Sequence, residues 1–290
     1  MTPLPFSLVL VSIFTHAYWN YLIKSSKNKH AFTSLSKLVE VTIFAIPALY
    51  VLSTTEFRIE FFLLILVAAS ITFLNYFFLA SAYKYGDLSL VYPVSRSSII
   101  FLPIMAYYFI DERIDTTGGI AIFTILLGTF VMHMESLSFQ GIKTIIKSIS
   151  NRGSLYAILA ALTVAGYTLW DKISISKIEP FLYFYLYTLI VAILYSSLTF
   201  IKFKKNMLKK EWELNRGRII QVGFFNSFTY ILTLTALAMS KATYVGGVRQ
   251  LSIVVGAFLG YKLLGEDMSL PKITGIIISL VGGSLVYLAK

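Results

Sequence analysis

Two arginines in this chain fall inside stretches that are otherwise fit only for hydrocarbon. Arg96 lies in YPVSRSSIIFLPIMAYYFIDE, Tyr92 to Glu112, and Arg249 in GGVRQLSIVVGAFLGYKLLGE, Gly246 to Glu266. A charged side chain at the bilayer centre costs at least about 2.5 to 3.5 kcal/mol on insertion scales, so each needs a partner or a polar cavity. Guanidinium stays charged in a dry site and holds a carboxylate or phosphate through parallel hydrogen bonds. The pair therefore reads as two cationic ligands for an anionic group, or else as headgroup snorkelling and structural ion pairs.

Other polar groups in apolar stretches are few. Glu40 stands in the middle of the second stretch, and the corresponding part of the seventh is tyrosine-rich, FLYFYLYT, with no acid. A lone carboxylate there is a candidate to exchange a proton or to bind an amine; equally, it could neutralise Arg96 or Arg249. His16 and Asn20 are four apart and share a helix face, with Trp19 beside them. Together with Asn75, Tyr167, Asn226 and Gln250 they complete the candidate substrate-binding set. The plainer role for the Asn, Gln and His side chains is interhelical hydrogen bonding, worth about 0.6 kcal/mol each in membranes. Tyr76, Tyr83, Tyr92, Trp170, Tyr230 and Tyr244 could line a pocket, although most aromatics must pack or sit at the membrane interface. Glu112 and Glu266 follow helix ends, where capping or pairing is the expected role.

Several kinds of chemistry are missing. With no cysteine there is no disulfide or thiolate metal site. No Walker loop, HExxH, paired acidic clusters or Gly-x-Ser-x-Gly elbow occurs, so neither an enzyme nor a bound metal or cofactor is expected.

The elements that must position these residues are membrane spans. Of 290 residues, 57% are hydrophobic and 13% charged, and the mean hydropathy is +0.76, more apolar surface than soluble cores could bury. Apolar runs of about 20 residues recur from end to end, enough for a core of about 30 Å. Ten spans are expected, near 4–23, 31–52, 59–83, 90–110, 116–134, 153–173, 180–201, 217–240, 243–264 and 270–289. The first lacks a basic flank and a cleavage site and reads as a retained helix. The net charge of +11 collects in connections between spans, as topology requires, so no nucleic-acid partner is expected.

Shifting the chain by 154 positions matches Val94 with Val248, Ser98 with Ser252, Ile99 with Ile253, Tyr107 with Tyr261 and Glu112 with Glu266. Arg96 falls one residue short of Arg249, which turns the two about 100° apart on their helices. The expected organisation is thus a five-helix repeat over 1–134, a surface linker over 135–152 and a second repeat over 153–290. Five spans is an odd number, so the second repeat enters inverted, an arrangement typical of secondary transporters. Gly256 and Gly260 form GxxxG, and Gly118, Gly119, Gly128, Gly275, Gly282 and Gly283 mark the fifth and tenth spans as close-packing helices.

The first-span motif HAYWNYLIK, His16 to Lys24, the junction ASAYKYGDLSLVYPV leading to Pro103 and Glu112, and the glycines Gly118, Gly119 and Gly128 carry a resemblance to a known family. So does the shared five-residue spacing of Trp19 to Lys24 and Tyr167 to Lys172. The chain resembles the drug/metabolite transporter superfamily, in its ten-helix branch with two EamA-type repeats. The resemblance implies a cytoplasmic (inner) membrane, a central cavity from spans 1, 3, 4, 6, 8 and 9, and fifth and tenth spans that hold the halves together. It also implies export, driven by proton exchange or by the substrate gradient. Both termini would be cytoplasmic, whereas the Lys and Arg bias of the connections after spans 1, 3, 5, 7 and 9 points the other way.

The expectation is an all-α integral membrane protein, a monomer because two fused halves remove the need for a second copy, that moves a small polar or amphipathic metabolite such as an amino acid or another carboxylate- or phosphate-bearing solute. A lipid-headgroup flippase, or a non-transporting membrane enzyme or sensor, are the alternatives.

Overall fold

The computed structural model describes residues 1–24, 26, 28–85, 94–134, 151–202, 205–265 and 267–289. The expected linker, apart from its last two residues, together with Tyr92 and Glu266, lies outside them. Among the described residues the regular structure is helical: α1 (Pro3–Lys24), α2 (Lys29–Ile43), α3 (Ala45–Thr54), α4 (Ile59–Tyr85), α5 (Ser98–Ile110), α6 (Thr116–Met132), α7 (Arg152–Ser174), α8 (Pro180–Lys202), α9 (Lys205–Met239), α10 (Ala242–Gln250), α11 (Ser252–Leu264) and α12 (Leu270–Leu288). Among the described residues seven helical segments are long and apolar enough to cross a membrane, or eight if α2 and α3 form one span. The shorter apolar helices α5 and α6 fall where the fourth and fifth spans were expected.

Three departures from simple spans have local causes or local consequences. The second stretch bends by 48° between α2 and α3. Pro47, in the first turn of α3, has no N–H to give and its ring crowds the carbonyl four residues back, so a straight helix cannot run through Phe44. The eighth span is longer than expected, because α9 begins at Lys205 and turns most of the basic connection 202–218 into helix. The ninth is interrupted at Leu251, between α10 and α11.

The offset of 154 reappears in this geometry. Ser97 N–H bonds Val94 O at 3.1 Å and Ser97 O receives Ile100 N–H at 2.9 Å; Leu251 N–H bonds Val248 O at 3.0 Å and Leu251 O receives Val254 N–H at 2.9 Å. The following helices end alike, on Asp111 at φ 49° and Gly265 at φ 68°. Left-handed backbone is tolerated by glycine and, among other residues, more readily by Asp and Asn. Equivalent positions therefore carry the same break and the same C-cap.

Helices in lipid associate by close packing rather than by the hydrophobic effect, so small residues decide where backbones approach. α6 lies along α12 through Gly128, Gly275 and Gly282: a Cβ on Gly275 would stand 2.5 Å from Gly128 O, and one on Gly282 would stand 2.7 Å from Ile125 N. Gly118 is covered by the Tyr244 ring and Gly283 by Leu251. Gly119 and Gly256, expected in similar contacts, meet nothing within 4 Å among the described residues. α4 packs on α7, α1 on α9, and α2 along α9, the last closely enough that a Cβ on Gly223 would be 3.1 Å from Glu40 N and Ser36 O. Large apolar side chains such as Ile46, Ile59 and Phe109 face outward, as a lipid solvent allows.

Candidate functional site

The two interrupted helices meet at their breaks. An interruption frees carbonyls from the helical ladder, and in a membrane each must find a donor. Gln250 Nε2 donates to Arg96 O at 3.0 Å. Gln250 and Arg96 are equivalent under the 154-residue offset, so the contact joins matching points of the two halves. This places Gln250 in a structural bond at the centre of the bundle.

Arg249, in the last turn of α10, sits against tyrosines. Its guanidinium carbon is 5.5 Å from the Tyr230 ring centroid, and the Tyr167 hydroxyl is within electrostatic range of both. Among the described residues no carboxylate lies within ion-pair distance of Arg249. The nearest acidic influence comes from Asp171, which is within electrostatic range without touching it.

His16 stands within electrostatic range of both Arg249 and Arg96. The His16 and Trp19 rings meet edge-on with centroids 4.8 Å apart. His16 Nδ1 and Trp19 Nε1 are both buried without a hydrogen-bond partner. An unmet polar atom in a dry interior costs about 1 to 3 kcal/mol, which a bound polar ligand could offset.

Glu40 is placed differently. It is 2% exposed, receives Lys37 Nζ at 2.9 Å and receives Asn226 Nδ2 at 3.1 and 2.9 Å on its two oxygens. The carboxylate therefore neutralises neither arginine by contact; Lys37 neutralises it. Sequence reasoning passes over Lys37, although the i, i+3 spacing in KLVE is the signal that could have found it.

Asp171 is the other residue it passes over. Two positions from the expected end of its span and next to Lys172, it resembles an interfacial acid. The structure buries it to 5% exposure and gives Oδ1 a 2.7 Å hydrogen bond from the Tyr183 hydroxyl. Tyr183 belongs to the same FLYFYLYT run that lacks an acid. Lys172 turns away and donates to Leu237 O at 2.6 Å and Ser240 O at 2.8 Å, closing the carbonyl end of α9 where a cation is favoured.

The remaining candidates lie apart from this cluster. Asn75 Nδ2 bonds Ala160 O and Thr163 Oγ1, each at 3.0 Å, along the α4–α7 seam. Asn20 Nδ2 returns to His16 O at 2.8 Å within its own helix. Trp170 Nε1 donates to Leu64 O, and Tyr244 donates to Asp115 at 2.7 Å. The expected capping role of Glu112 is present: its oxygens accept Ala242 N–H at 2.6 Å and Thr243 N–H at 2.9 Å, the open first turn of α10.

A cavity of about 930 Å³ opens at the end of the bundle where α1 starts and α12 finishes. Glu112, Lys172, Lys241 and Tyr244 are among its walls; the pocket-lining aromatic Tyr244 is thus present, and no residue of the candidate substrate-binding set is. Among the described residues no group of three His, Asp or Glu side chains could hold a metal.

Residues 151–288 match the model of the EamA-like transporter family. A solved crystal structure, described only as that of a protein, superposes with a TM-score of 0.73 at 16% identity, over 99% of this chain and 97% of its own. That likeness shows a shared fold across nearly the whole length. No curated protein matches. Over residues 151–288 the chain is therefore similar to the EamA-like transporter family, and its long apolar helices are those of a multi-pass membrane protein.

Proposed function

We propose that this protein is a transporter that moves a small solute bearing a carboxylate or phosphate, an amino acid being the simplest such class, outward across the cytoplasmic membrane. The reading rests on one observation above the others: a half-buried arginine, Arg249, held against the Tyr230 ring but by no carboxylate within ion-pair distance among the described residues. A cation left with neutral partners in a low-dielectric interior gains most from an anion that enters and leaves. Arg96, His16 and Trp19 complete the anion's surroundings, and the unmet His16 and Trp19 nitrogens are further polar contacts for it.

Movement is by alternating access between halves 1–134 and 153–290, joined by the linker 135–152 and inverted with respect to each other. Matched breaks at Ser97 and Leu251 and matched caps at Asp111 and Gly265 support that relation. Discontinuous helices at the middle of inverted halves are where such proteins bind their cargo. The α6–α12 glycine contact would hold the halves together while the rest rocks, and a single chain suffices.

The test is reconstitution into proteoliposomes loaded with amino acids, organic acids and phosphoesters. At least one panel member should leave the vesicles, and Arg249→Ala should weaken its apparent affinity about 10- to 100-fold, the loss of one charge-assisted hydrogen-bonding group. Arg249→Lys should fall between, since an ammonium keeps charge but not the planar fork. Transport of an anion undiminished by Arg249→Ala overturns this site, and scrambling of labelled lipid headgroups in place of solute movement would make the protein a flippase.

A further inference from the structure

We propose that Asp171 is the proton-carrying carboxyl of the transport cycle and that its proton is linked, through Arg249, to the anion. The inference rests on the anion site proposed above for Arg249. Glu40 and Asp171 are the two most deeply buried carboxyl groups among the described residues, and their surroundings differ in kind. Glu40 has a cation at 2.9 Å and an amide on both oxygens. Asp171 has one neutral donor, the Tyr183 hydroxyl, and no Lys or Arg within ion-pair distance among the described residues.

Tyr183 from α8 bonds Asp171 directly, and Tyr187 from the same helix, Tyr230 from α9, Arg249 from α10 and Tyr167 from its own helix are within electrostatic range of it. Apart from Arg249 these are neutral phenols. A buried carboxylate in such a setting has two ways to meet its desolvation cost: the field of the Arg249 cation, or a proton. Arg249 therefore acts as the switch between them.

With no anion bound, Asp171 is a carboxylate facing a guanidinium and the pair is neutral. When an anion engages Arg249, the guanidinium's charge is cancelled and its field no longer holds Asp171 ionised. The carboxylate then takes one proton from water, forming an O–H bond, and the occupied site is again neutral. On release of the anion, the O–H bond breaks and the proton leaves on the same side. Anion and proton thus favour each other's binding, a reciprocity that thermodynamic linkage requires. They travel together, so of the two driving modes implied for export, outward flow down the anion's own gradient is the one this arrangement serves.

Infrared difference spectroscopy on the full-length protein in vesicles tests the proton site without needing the cargo. Stepping the pH should reveal the C=O stretch of a protonated carboxylic acid that shifts when aspartate is 13C-labelled. The labelling identifies the residue type in the unaltered protein, whatever any variant does to folding. The band should vanish in Asp171→Asn and persist in Glu40→Gln. Arg249→Gln, which stands for a guanidinium whose charge an anion has cancelled, should move the titration midpoint upward by about one pH unit or more. A midpoint unmoved by Arg249→Gln, a band insensitive to aspartate labelling, or one that survives Asp171→Asn overturns the proposal. If these spectra come out as expected but no panel anion moves, the anion reading fails and the proton site stands.

Discussion

Glu40 and Asp171 are both acids buried in the last turns of helices, at 2% and 5% exposure, yet one is finished and the other is not. Glu40 is enclosed by Lys37 from its own helix and by Asn226 from α9, so its charge is met whether or not anything else binds. Asp171 leans on a phenol. Burial shows that a charge is costly; the partners decide whether that cost is settled within the fold or left for a ligand or a proton to settle.

The sharpest way to break the comparison is to remove Lys37. Lys37→Met should leave Glu40 buried and unpaired and cost about 3 to 5 kcal/mol of stability, read as a large fall in unfolding temperature in detergent. The double variant Lys37→Met/Glu40→Gln should recover most of that loss. If Lys37→Met unfolds no earlier than the native protein, Glu40 is not the self-contained group its geometry indicates.

A smaller effect is expected on the other side. Tyr183→Phe removes the hydroxyl that bonds Asp171 and should lower stability by about 1 kcal/mol, well below the cost at Lys37, because a proton remains available to the carboxyl. A loss as large as that of Lys37→Met would mean that Asp171 is as tightly built in as Glu40. Glu112 offers a third carboxylate for calibration, one whose partners are backbone N–H groups. Glu112→Ala should cost about 1 kcal/mol, the usual range for a lost N-terminal cap, with the change confined to the start of α10 in hydrogen exchange.

Much of this was readable from residues alone, and the part that was not has a physical reason. Span positions follow from length and hydropathy, and the 154-residue echo between Tyr92–Glu112 and Gly246–Glu266 relates the breaks at Ser97 and Leu251, where unbroken spans were expected. The glycine contacts of Gly128, Gly275 and Gly282 were legible because only a missing side chain lets two backbones approach. The partners of Glu40 were not: its second partner, Asn226, is 186 positions away, and periodicity does not say which helices touch. Asp171 was hidden for another reason. Near a span's end, a single residue of boundary error separates the headgroup layer from the interior. The bend before Pro47 carried its own signal, since a proline early in a helix limits what can precede it.

Finally, α9 runs unbroken for 35 residues, about 52 Å at 1.5 Å per residue, against a hydrocarbon core of about 30 Å. Asn226, which grips Glu40, is about 31 Å along the same rod from its first residue. A stiff rod held at one point is a lever: a tilt of about 5° at Asn226 sweeps the far end by roughly 3 Å. A spin label near that protruding end would therefore serve as a gauge needle, magnifying rearrangements at the buried carboxylate into distances measurable outside the membrane.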